Sequence, residues 1–158
     1  MSFIDEIKNR AKKDIKKIVL PESEDDRTLK ATSEVLKQKF AEIILIGNKE
    51  KILKRANELK LNNVEEAEII DPVNSDKYDE FVEKFYELRK NKGMTIEKAK
   101  EYMLDNTYFG MMMVKQGYAD GLVSGAVHST SDTLRPALQI LKTAPGTKLV
   151  SAFFMMIV

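Results

Sequence analysis

With 158 residues, 26 Lys and Arg against 25 Asp and Glu, and no cysteine, the chain has length for about one domain with a sizeable core. Its near-balanced charge offers no field to favour nucleic acid or an anionic membrane, and the missing cysteine excludes disulfides, thiolate metal sites and a cysteine nucleophile within this segment. No stretch reaches membrane-spanning length and no apolar leader-like run opens the chain, so it reads as soluble and cytoplasmic.

Ser2 is a cap for a first helix bearing Phe3, Ile4, Ile7 and Ala11 at near-helical spacing, with Ile15 one turn further. The lysines from Lys8 to Lys17 alternate with Asp5, Glu6 and Asp14, the pattern of a solvated helix face rather than a nucleic-acid arm. Ile18-Val-Leu is a short buried-type strand stopped by Pro21. Glu22, Glu24, Asp25 and Asp26 crowd the start of the next helix, where its dipole favours them. That helix runs to about Lys39 with Leu29, Val35 and Leu36 facing inward. Ile43-Ile-Leu-Ile is the clearest strand, Gly47-Asn48 turns it into a helix through Leu59, and Ala67 to Ile70 is a third strand ended by Asp71-Pro72.

From Ser75 to Lys90, Tyr78, Phe81, Val82, Phe85 and Leu88 fall on one helical face. Thr95 begins another helix, and a further one from about Asn106 carries Met111-Met-Met-Val. That sulfur-rich stripe reads as core packing, since methionine fills irregular gaps without specific chemistry. Gly121 to Val123 is a strand, Asp132 to Lys142 a helix closed by Ala144-Pro145-Gly146, and Leu149 to Val158 the start of a new strand. Strands alternating with amphipathic helices predict an α/β fold with a mostly parallel sheet covered on both faces. Ligands collect beyond the carboxyl ends of such strands.

The loop from Ser124 to Ser131 lies at such an end. It leads from an apolar strand into a helix beginning near Ser131 or Asp132, whose first free N–H groups, with Ser129 and Thr130 beside them, make a cradle for an anion. Arg135 in the first turn opposes the helix dipole unless an anion sits there, and its fork suits phosphate or carboxylate. The alternative is a capped helix whose arginine faces water or pairs with an acid.

The block Ser124-Gly-Ala-Val-His-Ser-Thr-Ser-Asp-Thr-Leu-Arg-Pro-Ala-Leu-Gln-Ile-Leu-Lys-Thr-Ala-Pro-Gly146 resembles the signature of the phosphate acetyltransferases. Lys17-Ile-Val-Leu-Pro-Glu, Glu24-Asp-Asp-Arg-Thr-Leu-Lys-Ala, Ile43-Ile-Leu-Ile-Gly-Asn, Glu87-Leu-Arg-Lys-Asn-Lys-Gly-Met-Thr and Tyr108-Phe-Gly-Met-Met-Met-Val-Lys-Gln-Gly-Tyr-Ala-Asp-Gly agree in order. The resemblance implies reversible acetyl transfer between acetyl-CoA and inorganic phosphate, giving acetyl phosphate and CoA. Coenzyme A is then a substrate, no cofactor is tightly bound, and the full-length enzyme is a homodimer of acetate metabolism. It also implies an architecture like that of the isocitrate dehydrogenase fold group. Residues 1–145 form the first domain, and 146–158 open a second one that is largely missing. Family members are longer, so the resemblance makes this an amino-terminal portion, inactive alone. Phosphate butyryltransferase and a non-catalytic, regulatory acetyltransferase-like module are the alternatives.

Within that resemblance Ser129, Thr130 and Arg135 grip phosphate, and Arg89 becomes a second clamp on phosphate or coenzyme A. By its residues alone, Arg89 is a solvated helix end favoured by the dipole. The thiol base and a further arginine are expected beyond Val158, leaving the catalytic residues unassigned. His128, the single histidine, invites a general-base role, but no partner acid is identifiable by spacing. Arg27, behind its acidic neighbours, reads as a local ion pair, and no metal-ligand pattern is present.

Overall fold

The computed structural model describes residues 2–156. Helices and strands alternate up to β3, after which three helices precede the last strand: α1 (Phe3–Ala11), β1 (Lys17–Leu20), α2 (Asp26–Gln38), β2 (Glu42–Ile46), α3 (Lys49–Glu58), β3 (Glu68–Ile70), α4 (Tyr78–Arg89), α5 (Ile96–Met103), α6 (Asn106–Lys115), β4 (Gly121–Leu122) and α7 (Thr130–Ile140). The strands form one parallel sheet in the order β3-β2-β1-β4. Val19 stands opposite Ile44 on one side and Leu122 on the other. The predicted α/β class with a covered parallel sheet is what the chain adopts.

Two-residue periodicity divides the core between the sheet's faces. Ile43 and Leu45 join Leu29, Ile52, Ala56 and Val64 in the layer made by α2 and α3. Val19, Ile44 and Ile46 face the other layer, where Phe81, Phe85, Met103, Phe109, Met112 and Ile140 are fully buried. The methionine run is core packing, as its composition implies, with Met111, Met112 and Met113 all buried. α6 crosses the sheet closely because Gly110 lacks a side chain. A Cβ there would stand 2.8 Å from Val19 Cγ1 and 2.9 Å from Leu122 Cδ1.

Three expectations are corrected. The first helix ends at Ala11 and leaves Ile15 outside it, and none of its residues is buried. β4 is shorter than expected, although the Val123 N–H still donates to the Val19 carbonyl at 3.0 Å. The strand expected from Leu149 is absent as far as Met156, and residues 157 and 158 lie outside the described residues. Phe153 and Phe154 there are 84% and 90% exposed. An apolar run becomes a strand only against a neighbour that pairs its backbone groups, and none of the four described strands pairs with this one.

Candidate functional site

The chain passes from β1 to β2 on one side, while β4 arrives on the other. Between β1 and β4 the sheet order therefore reverses, and the crevice beyond their carboxyl ends is the ligand-binding position of an open α/β sheet. Two segments line it: the turn after β1, beginning Pro21-Glu22-Ser23, and the loop from Val123 to Ser129. The start of α6 closes it from the side. Asn106 Nδ2 donates to the Ile46 carbonyl at 3.0 Å, and Ser23 Oγ donates to the same oxygen at 2.5 Å.

The loop after β4 is folded around an internal anion. The Glu22 carboxylate accepts the N–H groups of Gly125 (2.9 Å) and Ala126 (2.8 Å) on Oε2. Its Oε1 accepts those of Val127 (2.8 Å) and His128 (2.7 Å) and lies 2.9 Å from His128 Nδ1. Successive N–H groups converging in this way make a nest for negative charge. Burial raises the Glu22 pKa, but the backbone donors outweigh it and bring the carboxyl down to about 2. Its side chain is 4% exposed. Glu22 thus does not serve the dipole of α2, whose cap is Asp25, accepting the Arg27 N–H. The Arg27 side chain makes the expected local pair with Asp25 through two bonds of 2.9 Å, and it also donates to the Ala126 carbonyl, bracing the loop.

The next helix begins earlier than its sequence suggests. Ser129, rather than Ser131, is the cap: its hydroxyl accepts the Asp132 N–H and donates to Asp132 Oδ2 at 2.6 Å, while the Asp132 carboxylate accepts the Ser129 N–H. This capping box outcompetes a later start because it satisfies two orphan donors at once. Two consequences follow. Arg135 lies in the second turn, where the dipole acts on it less than a first-turn position would suggest. The Ser129 hydroxyl and the Asp132 N–H are engaged with each other, leaving the N–H groups of Thr130 and Ser131 without partners among the described residues.

Arg135 lines a cavity of about 200 Å³ with Tyr102, Asp105, Tyr108, His128 and Asp132. A wider hollow of about 580 Å³ adjoins it, shares Asp105, Thr107 and His128, and extends over Glu22 to the β1–α2 turn. Arg89, at the end of α4, carries a buried Nε without a hydrogen-bond partner. Neither arginine forms a salt bridge among the described residues. Both act electrostatically on Tyr108, although they stand 46 positions apart. Burial pushes the Tyr108 hydroxyl up to about 12, with Tyr102 adding to the rise and Arg135 and Arg89 opposing it. The two acids of the small cavity have local partners: Asp105 accepts the N–H groups of Thr107 and Tyr108, and Asp132 is held by Ser129.

The fold thus brings Ser129, Thr130, Arg135 and Arg89 to one region of the molecule. It adds Glu22, whose role had no local signal because its partners lie 103 to 106 residues away. It also supplies His128 with the acidic neighbour that spacing did not reveal. Among the described residues no group of three or more His, Cys, Asp or Glu side chains is placed to hold a metal, and no helix is long and apolar enough to cross a membrane.

Comparison with known proteins matches this geometry to one family. The family described as phosphate acetyl/butaryl transferase matches residues 2–158. The phosphate acetyltransferase of Thermoanaerobacterium thermosaccharolyticum is 58% identical over 156 residues, covering 99% of this chain and 47% of that protein. The enzyme of the same name from Acetivibrio thermocellus is 56% identical over 158 residues, with 100% and 47% covered. The chain therefore spans about half the length of these curated relatives. Among solved structures, the EutD phosphotransacetylase from Staphylococcus aureus superposes with a TM-score of 0.85 at 41% identity, covering 94% of this chain and 46% of that one. A phosphotransacetylase from Streptococcus pyogenes gives 0.87 at 38% identity, with the same coverage. Sequence along the whole chain and the arrangement of its sheet and helices agree: the chain belongs to the phosphate acetyl/butaryl transferase family.

Proposed function

We propose that this chain forms the phosphate-binding wall of a phosphate acetyltransferase, which moves an acetyl group between coenzyme A and inorganic phosphate. One observation carries the reading: Arg135, which lines the cavity with Tyr108, and Arg89, on another helix, both act electrostatically on Tyr108, with no acid paired to either among the described residues. Unpaired guanidiniums at the carboxyl edge of a parallel sheet are suited to an anionic substrate.

In the forward direction a phosphate oxygen attacks the thioester carbonyl of acetyl-CoA, and coenzyme A leaves as thiolate. Both partners are anionic, so cations must offset their repulsion and hold the attack geometry. Arg135 and Arg89 take that role, with Thr130 and the free N–H groups of Thr130 and Ser131 as neutral donors. Ser129 contributes by holding the start of α7 in place and by its exposed edge. The base that accepts the coenzyme A thiol proton and a further arginine belong, on this reading, to a second domain that follows residue 145. Coenzyme A enters as substrate rather than as a resident cofactor, and the full-length enzyme acts as a cytoplasmic homodimer. The acetyltransferase names of the relatives favour acetyl over butyryl as the transferred group.

Arg135→Ala in the full-length enzyme tests the reading. Loss of a charge-assisted contact of about 1.5–3 kcal/mol lowers kcat/KM by roughly ten- to a hundred-fold. The loss falls mainly on phosphate and acetyl phosphate, and Arg135→Lys restores only part of it. Unchanged turnover in a folded Arg135→Ala protein would remove Arg135 from the substrate site.

A further inference from the structure

The small cavity beside Arg135 contains one feature that a site for a fully ionised anion does not need. The Glu22 carboxylate is ionised and can only accept hydrogen bonds, so its 2.9 Å contact with His128 requires the imidazole to carry its proton on Nδ1. In the neutral ring Nε2 is then an acceptor, and it has no hydrogen-bond partner among the described residues. Four backbone N–H bonds to Glu22 hold the residues on which this depends, so the ring's orientation is built into the loop. The ring lines both the small cavity with Arg135 and Tyr108 and the wider hollow over Glu22.

An acceptor in the same cavity as the Arg135 guanidinium, where Asp105 and Asp132 are already engaged by local donors, recognises an anion that still bears a proton. Inorganic phosphate near neutral pH is a mixture of the monohydrogen dianion and the dihydrogen monoanion, so every species bears a P–OH group, and the dianion has three oxygens left for guanidinium donors. Sulfate has the same shape and charge but no proton, so it would bring an oxygen against the Nε2 lone pair.

We propose that His128, oriented by the Glu22 carboxylate, is the residue that selects hydrogen phosphate at this site, its Nε2 accepting the hydrogen bond of the P–OH group. The inference rests on the phosphate reading above and deepens it. No proton is transferred. The bond turns the protonated oxygen toward His128 and the unprotonated ones toward Arg135 and Arg89. Glu22 acts at one remove, as a positioning residue that fixes the tautomer. A site built to accept a substrate hydrogen discriminates against an analogue that lacks it, because the acceptor is left facing a lone pair.

His128 is the single histidine of these 158 residues, and in the full-length enzyme labelled with 15N on its imidazoles the pair of ring resonances that His128→Phe removes is assigned to it. At a pH where the ring is neutral, the free protein carries the proton on Nδ1 and none on Nε2. Added inorganic phosphate shifts Nε2 much more than Nδ1, and calorimetry at equal pH and ionic strength finds sulfate binding about tenfold more weakly, as loss of one hydrogen bond implies. His128→Phe keeps an aromatic ring and the four backbone bonds to Glu22 but brings the phosphate-to-sulfate ratio close to one.

An Nε2–H tautomer in the free protein, or no Nε2 shift at millimolar phosphate, would overturn the proposal. So would a sulfate affinity equal to that of phosphate, or an unchanged ratio in His128→Phe. The arginine reading fails separately. Phosphate affinity untouched by both Arg135→Ala and Arg89→Ala removes the clamp. Arginine-dependent binding that does not distinguish phosphate from sulfate removes His128 alone.

Discussion

Replacing Glu22 by Gln removes the internal anion of the 125–128 loop while keeping its size. The carboxyl has an ordinary value of 4.5 and is brought to about 2 in the folded chain. A folded pKa below the unfolded one means that ionisation favours folding above the unfolded value, and that this stability is lost as pH falls through the folded one. A depression of this size corresponds to about 3 kcal/mol at pH 7 and about 1.5 kcal/mol at pH 3. The hydrogen bonds give the same scale. Four N–H donors and one imidazole converge on a side chain 4% exposed, and an amide in its place turns a donor toward them. Urea unfolding of wild type and Glu22→Gln from pH 7 to pH 3 therefore gives a stability difference that shrinks by about half. Asp25, Asp26 and Asp132 are also held below their ordinary range, and comparing the two proteins at each pH cancels their contribution. A difference that stays constant across the range would show that the loop does not depend on the Glu22 charge. No difference at pH 7 would refute the nest itself.

Two more outcomes follow from the packing and the site. Gly110→Ala drives a methyl group against Val19 and Leu122, both within 3 Å of its Cβ, and overpacking of this kind costs about 1–3 kcal/mol, read as a lower urea midpoint with an unchanged slope. Arg89→Ala in the full-length enzyme lowers kcat/KM for phosphate by roughly tenfold or more. Because the side chain is unpaired in the described residues, stability changes little, and a large fall in melting temperature with normal kinetics would assign Arg89 to the fold instead.

Local pattern was sufficient for most elements. Caps such as Ser2, Asn48 and Thr95 stand where a short polar side chain precedes an apolar-periodic run. The apolar tetrad Ile43 to Ile46 is the buried part of β2, covered on both faces as continuous apolar strands of parallel sheets are. The proposed phosphate site is legible in sequence to the extent that its candidate residues sit in one block. Ser129, Thr130 and Arg135 are neighbours in sequence, and α7 holds them together. The start of α7 is less legible because Ser129 and Ser131 compete for the cap, and the acid three residues after Ser129 decides between them.

The amino-acid sequence by itself determined the alternating α/β order, the two-sided core and the hydroxyl-rich loop with its following arginine, since each depends on periodicity and capping within a few residues. Tertiary structure alone decided which charge fills the loop, which imidazole nitrogen Glu22 engages, and that Arg89 and Arg135 act on one tyrosine. It also decided that Leu149 to Met156 forms no strand. These outcomes are set by contacts between residues far apart in the chain: a carboxylate goes where converging N–H groups satisfy it, and an apolar run pairs only where an edge is offered. Neither condition is written near the residues it governs.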